Sequence, residues 1–167
     1  MMAAPRRALF VDRDGTLIVD VGYPRDPARV EPLPDAIDAL RALQTQFAVV
    51  IVSNQSGVGR GLITAAEARA VHERVVEVFA RGGVALAGAY YCPHAPDAGC
   101  ACRKPAPGLL VDAARELGLD LARSIMIGDK ASDVAAGHAA GCGHAIRFGP
   151  DADWSLVPGL LRTLGAW

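Results

Sequence analysis

The stretch Leu9-Phe10-Val11-Asp12-Arg13-Asp14-Gly15-Thr16-Leu17 carries the decisive reading of this 167-residue chain. The apolar run that opens at Ala8 predicts a buried strand, and two carboxylates follow it two residues apart. Gly15 permits a sharp turn directly afterwards, with Thr16 beside it. Charge buried at a strand end costs stability through desolvation, so paired acids here point to a held cation or to chemistry.

Working outward, short apolar runs alternate with amphipathic stretches. Asp35–Leu43 reads as a helix with Ile37, Leu40 and Leu43 at helical spacing, and Phe47–Val52 as a second strand. Thr64-Ala65-Ala66-Glu67 matches a capping box and opens a helix to about Arg81, with Ala68, Val71, Val75 and Val78 inward. Ala85–Tyr91 is a third strand, and Pro107 starts a helix that ends at Gly118. Ser124–Ile127 is a fourth strand, Ser132–Ala140 a short helix, His144–Arg147 a fifth strand and Asp153–Leu164 a last helix. His72, within the long helix, reads as a half-exposed residue, and Cys142 as a small core residue.

This alternation implies right-handed crossovers: an α/β fold of Rossmann-like, doubly wound type, a parallel sheet with helices on both faces. In such sheets ligands bind beyond the carboxyl ends of the strands. There the first strand delivers Asp12 and Asp14, the second Ser53-Asn54-Gln55-Ser56-Gly57, and the fourth Asp129. Acids at this density repel one another unless a cation sits among them, and hard oxygen ligands left partly open suit Mg²⁺. Lys104 and the Ser53 hydroxyl would complete a phosphate cradle.

Asp12-Arg13-Asp14-Gly15-Thr16, Ser53 at a strand end, Lys104 before a helix, and Gly128-Asp129 with Asp133 resemble, in order, the four motifs of the haloacid dehalogenase superfamily. Ser53 through Gly61, Tyr91-Cys92-Pro93-His94, Cys100 through Pro105 and Gly128-Asp129-Lys130 resemble more narrowly the D-glycero-D-manno-heptose 1,7-bisphosphate phosphatases, relatives of the histidinol-phosphate phosphatases. The resemblance implies that Asp12 attacks phosphorus and Asp14 acts as acid and then base. It also implies Mg²⁺ on the Asp12 carboxylate, the Asp14 backbone carbonyl and the Asp129 carboxylate, with Ser53 and Lys104 on the phosphoryl oxygens and Asp133 acting at one remove. It places Asp20, Gly22, Tyr23, Asn54, Gln55, Ser56, Arg103 and Lys130 near the substrate.

Three of the four cysteines crowd into Cys92–Cys102 beside a histidine. Cys92, His94, Cys100 and Cys102 form a Cys₃His set suited to a closed, structural Zn²⁺ site, which would staple a loop that also carries Arg103 and Lys104. Zinc bound there would pin that loop against the rim.

Composition bounds the rest. Hydrophobic residues make up 51% of the chain and charged ones 21%, which excludes a disordered chain. The net charge of −1 gives no bulk field for nucleic acid or membrane, and no apolar run is long enough for a signal core or a span. The expectation is a cytoplasmic, monomeric, single-domain phosphatase covering residues 1–167, with no large cap. The resemblance makes it a Mg²⁺-dependent enzyme that removes the 7-phosphate of heptose 1,7-bisphosphate. Histidinol phosphate is the rival substrate. A phosphoacceptor signalling domain is the rival class, and Asp14 argues against it because a nearby acid–base group would promote loss of the phosphoryl group. A zinc-stapled binding domain is the remaining alternative.

Overall fold

Five parallel strands in the order β3-β2-β1-β4-β5 form one sheet in the computed structural model, which describes residues 5–167. They are β1 (Arg6–Val11), β2 (Ala48–Asn54), β3 (Leu86–Cys92), β4 (Leu119–Gly128) and β5 (His144–Arg147). The helices are α1 (Ala36–Leu43), α2 (Ser56–Gly59), α3 (Ala65–Arg81), α4 (Gly108–Leu117), α5 (Ala131–Ala140) and α6 (Val157–Thr163). The chain lays β1, β2 and β3 outward in one direction, then returns so that β4 pairs on the other side of β1. The strand order therefore reverses between β1 and β4, where a crevice opens at the carboxyl ends.

Alternation along the strands divides the core. Leu9 and Val11, with Val49, Ile51, Ile125 and Ile127, pack against Leu40 and Leu43 of α1, Val75 and Phe79 of α3, and Leu161 of α6. Ala8 and Phe10, with Val50, Val52 and Met126, pack on the other face against Leu110 and Ala113 of α4 and Ala136 of α5. Both faces of β1 are dry, so its apolar residues run without interruption up to Asp12.

Besides the short helix α2, which the sequence reading did not include, three further elements depart from expectation. β4 begins at Leu119 rather than Ser124, because Leu119 and Asp120 already pair with Arg6 and Arg7. A register shift follows, and Ser124 Oγ spans it by accepting from Ala8 N at 2.8 Å. A mixed stretch, in which Asp120 and Arg123 interrupt the apolar residues, thus extends a strand that unbroken apolar patterning starts later. The last helix is split into a 3₁₀ turn (Trp154–Leu156) and α6, with Pro158 in the first turn of the α-helix. Along α3 the inward positions include His72 and Phe79, while Val78 is only partly buried. The His72 ring lies 4.8 Å from that of Tyr91 on the edge strand, tilted at 57°, and burial lowers its pKa. The capping box at Thr64 is formed from both sides: Glu67 N donates to Thr64 Oγ1 and Thr64 N donates to Glu67 Oε2.

Candidate active site

At the carboxyl end of β1 the chain turns through Gly15, whose φ of +79° lies in the left-handed region. A Cβ at this residue would stand 2.6 Å from Asp129 Oδ2, so the turn also needs glycine for space. The tight turn brings Asp12 and Asp14 to the mouth of the crevice while β4 brings Asp129 and α5 brings Asp133. Asp12, Asp129 and Asp133 offer carboxylate oxygens that all lie within 4.8 Å of one another.

Lys104 is the cation facing them. Its Nζ donates to Asp12 Oδ1 at 2.7 Å and to Val52 O at 2.7 Å, and pairs with Asp133 Oδ1 at 2.6 Å. Burial works against charge at Asp12, which is 5% exposed, but Lys104 outweighs it and holds the carboxyl below its ordinary range. Asp129 is paired more loosely, with the exposed Lys130. Burial and then the neighbouring Asp12 carboxylate push it up to about 6, although Lys130 lies 3.3 Å away. Two carboxylates facing each other in this way are relieved by a divalent cation with oxygen preference, and the donor set fits Mg²⁺. Asp133 has both oxygens engaged, one on Lys104 and the other accepting from Lys130 N at 2.9 Å. It therefore braces the lysine rather than offering a free oxygen.

Asp14 sits in a different setting. Burial raises its carboxyl pKa, against the opposing pull of Arg13 and Gln55. Gln55 Nε2 donates to Asp14 Oδ2 at 2.6 Å and to Ser53 Oγ at 2.8 Å. Arg13, wholly buried, pairs with the same carboxylate at 2.9 Å. The sequence pattern does not single out Arg13, since it stands as the spacer between two acids. The available signal was a guanidinium inside a run otherwise destined for the interior.

A cavity of about 230 Å³ opens over these groups. Asp20, Gly22 and Tyr23 border it on one side, and Asn54, Gln55 and Ser56 on another; Arg103, Lys104 and Lys130 border it as well. Gly22 N donates to Asp20 Oδ1 at 2.8 Å, a turn that carries Tyr23 to the rim. Gly57, read in the sequence as part of the rim but not as a substrate contact, also lines the cavity, and so does Ser132, which the sequence reading did not place there. Ser53 is not among the lining residues: it is fully buried, because the Gln55 side chain folds across it. The Asn54 amide is likewise committed, donating to Lys104 O and accepting from Lys104 N, both at 3.0 Å. Arg103 keeps one buried terminal nitrogen without a hydrogen-bond partner.

The loop from Cys92 to Lys104 is clamped from two directions. Gln55 N donates to Cys92 O at 2.7 Å, Gly59 N to Pro93 O at 2.8 Å, and Gly108 N to Ala101 O at 2.9 Å. A Cβ at Gly59 would fall 2.3 Å from Ala95 N, and one at Gly108 would fall 2.2 Å from Ala101 O, so both approaches depend on glycine. Within the loop the Sγ atoms of Cys92 and Cys102 lie 3.6 Å from that of Cys100, and His94 Nδ1 lies 3.3 and 3.2 Å from Cys92 and Cys102. Donors on one tetrahedral zinc stand roughly 3.5–3.8 Å apart, so the four donors converge as a zinc site requires. The Cys92–Cys102 separation of 2.9 Å is shorter than that and far too long for a disulfide. No helix among the described residues is long and apolar enough to cross a membrane.

Comparison with known proteins agrees with this geometry. A HAD-hydrolase-like family profile matches residues 101–146. The chain is 43% identical over 144 residues to a D-glycero-beta-D-manno-heptose-1,7-bisphosphate 7-phosphatase of Yersinia pestis, covering 81% of this chain and 77% of the relative. It is 43% identical over 150 residues to the protein of that name in Escherichia coli (strain K12), covering 85% and 78%. Among solved structures, D,D-heptose 1,7-bisphosphate phosphatase from B. bronchiseptica, complexed with magnesium and phosphate, superimposes with a TM-score of 0.76 at 37% identity, covering 83% of this chain and 78% of that one. With its five-stranded parallel sheet and its acids at the β1–β4 crevice, the chain belongs to the D-glycero-D-manno-heptose-1,7-bisphosphate 7-phosphatase family of HAD-like hydrolases.

Proposed function

We propose that this chain is a phosphomonoesterase that removes the 7-phosphate of D-glycero-D-manno-heptose 1,7-bisphosphate through an aspartyl-phosphate on Asp12. The observation that carries this reading is the contrast between two acids on one rim. Asp12 is kept ionised by Lys104, as a nucleophile must be, whereas burial raises Asp14 toward the protonated form of a general acid.

In the first half-reaction Asp12 attacks phosphorus, the bond to the ester oxygen breaks, and Asp14 gives its proton to that oxygen. In the second, Asp14 takes a proton from water as the water attacks phosphorus, and the Asp12 carboxylate is released. Residues to hold Mg²⁺ are the carboxylates of Asp12 and Asp129 and the backbone carbonyl of Asp14. Bound there, the ion offsets repulsion between the anionic nucleophile and the anionic ester. Lys104 adds positive charge at the phosphoryl position, and Ser53 retains a hydroxyl hydrogen to donate. Arg103, with its unspent donor, and Lys130 suit the sugar hydroxyls or the second phosphate. Cys92, His94, Cys100 and Cys102 hold a structural Zn²⁺. Residues 1–167 act as one domain, monomeric and cytoplasmic.

Phosphate release from a panel of esters tests the reading. The heptose bisphosphate should be the best substrate, with the β anomer preferred, as in the names of the relatives. Faster release from histidinol phosphate would overturn the substrate assignment. Asp12→Asn should abolish turnover while leaving the thermal transition in place, and retained activity would remove Asp12 as nucleophile.

A further inference from the structure

The Asp14 carboxylate is gripped unevenly. Gln55 Nε2 donates to Oδ2 at 2.6 Å, and the Arg13 guanidinium closes on the same oxygen through Nη2 at 2.9 Å and Nε at 3.1 Å. Oδ1 has a single longer contact, from Arg13 Nη2 at 3.2 Å. An oxygen that already accepts from several N–H groups has no room for a proton, so protonated Asp14 carries its hydrogen on Oδ1. The second hydrogen of the Gln55 amide goes to Ser53 Oγ at 2.8 Å. That bond anchors the amide on a hydroxyl that is itself fully buried. While Asp14 is ionised the amide keeps this orientation, because its carbonyl would otherwise face a carboxylate.

We propose that Gln55 is a positioning residue for the phosphatase reaction: its amide nitrogen, anchored on the buried Ser53 Oγ, holds Asp14 by Oδ2 and so leaves Oδ1 as the oxygen that carries the proton. Arg13, without solvent contact, holds Asp14 Oδ2 in place from the interior. As the phosphorus–oxygen bond breaks, its electron pair stays with the ester oxygen. The Oδ1 hydrogen moves to that oxygen, leaving Asp14 as carboxylate. Water returns a proton to Oδ1 in the second half-reaction.

The inference rests on Asp14 being the general acid, and the experiment separates the two claims. A sugar phosphate leaves as a basic alkoxide and needs the proton, whereas 4-nitrophenyl phosphate leaves as a stable phenolate and does not. The parameter kcat/KM covers steps only through ester cleavage, so later hydrolysis of the aspartyl-phosphate does not enter. Gln55→Met should lose roughly 10²-fold in kcat/KM on the sugar phosphate. Its loss on 4-nitrophenyl phosphate should be smaller by about ten-fold or more, the pattern also expected of Asp14→Asn. Equal losses on the two esters, or none, in a folded Gln55→Met protein would overturn the proposal. Should circular dichroism show that Gln55→Met does not fold, Gln55→Glu, of matching size, meets the same criterion. If Asp14→Asn itself fails to discriminate between the esters, the acid assignment falls and the role of Gln55 falls with it. If Asp14→Asn discriminates and the Gln55 variant does not, only the role of Gln55 is lost.

Discussion

Gly15 shows how far one missing methyl group reaches. Its left-handed backbone and the 2.6 Å approach to Asp129 mean that an added Cβ meets both strain and a carboxylate proposed to hold the cation. Gly15→Ala should cost more than about 1 kcal/mol in urea unfolding, since alanine does not accept φ above zero without strain. The Mg²⁺ concentration for half-maximal activity should rise by roughly ten-fold or more, as expected when a ligand is displaced by its surroundings. An unchanged Mg²⁺ requirement would show that Asp129 escapes the clash or does not hold the ion. The Asp12–Lys104–Asp133 cluster makes a related point. Its three charges are tolerated in the interior only because each faces an opposite one, so removing any one leaves an uncompensated buried charge.

Two elements can be separated experimentally because one lies apart from the site and the other borders it. At the start of α3, Thr64→Ala removes the acceptor for Glu67 N and should destabilise the chain by about 1 kcal/mol in urea melts, with kcat unchanged. Thr64 N holds the Glu67 carboxyl below its ordinary range. A lowered carboxyl contributes stability above its unfolded pKa and loses it as pH falls through the folded value. The capping contribution should therefore be complete at neutral pH and decline only below about pH 4.5. Repeating the melts across that range checks the sign. The zinc loop should behave differently. Metal analysis should find one zinc per chain, and removal by a chelator should raise KM, because Arg103 and Lys104 follow Cys102 directly. Absence of zinc from the pure protein would remove that role for the four ligands.

At the scale of the whole molecule, the carboxy-terminal segment secures the first loop of the chain. Trp154, fully buried, donates through Nε1 to Thr16 O at 2.6 Å and lies 5.2 Å from Phe148, so residues far apart in sequence fix the Asp12–Thr16 turn. Trp154→Ala should cost about 3–5 kcal/mol in urea unfolding. Trp154→Phe, which keeps most of the volume but strands the Thr16 carbonyl, should cost about 1–3 kcal/mol. A negligible effect of Trp154→Phe would mean that the loop holds its shape without this tether.

Sheet type, the main helices and the rim acids were legible in the sequence, because each depends on local periodicity: unbroken apolar strands, 3.6-residue spacing, and polar residues where a strand stops. Cys92, His94, Cys100 and Cys102 were legible for the same reason, as their ligand types lie within one short loop. Strand order, the unequal hold of Gln55 and Arg13 on the two oxygens of Asp14, the burial of His72, and the pairing of Lys104 with Asp133 were not. Those features join residues tens of positions apart, and their energies come from desolvation and hydrogen-bond geometry that exist only once the layers have packed. Local pattern decides which side chains arrive at the crevice; packing decides which atom of each one is left free to act.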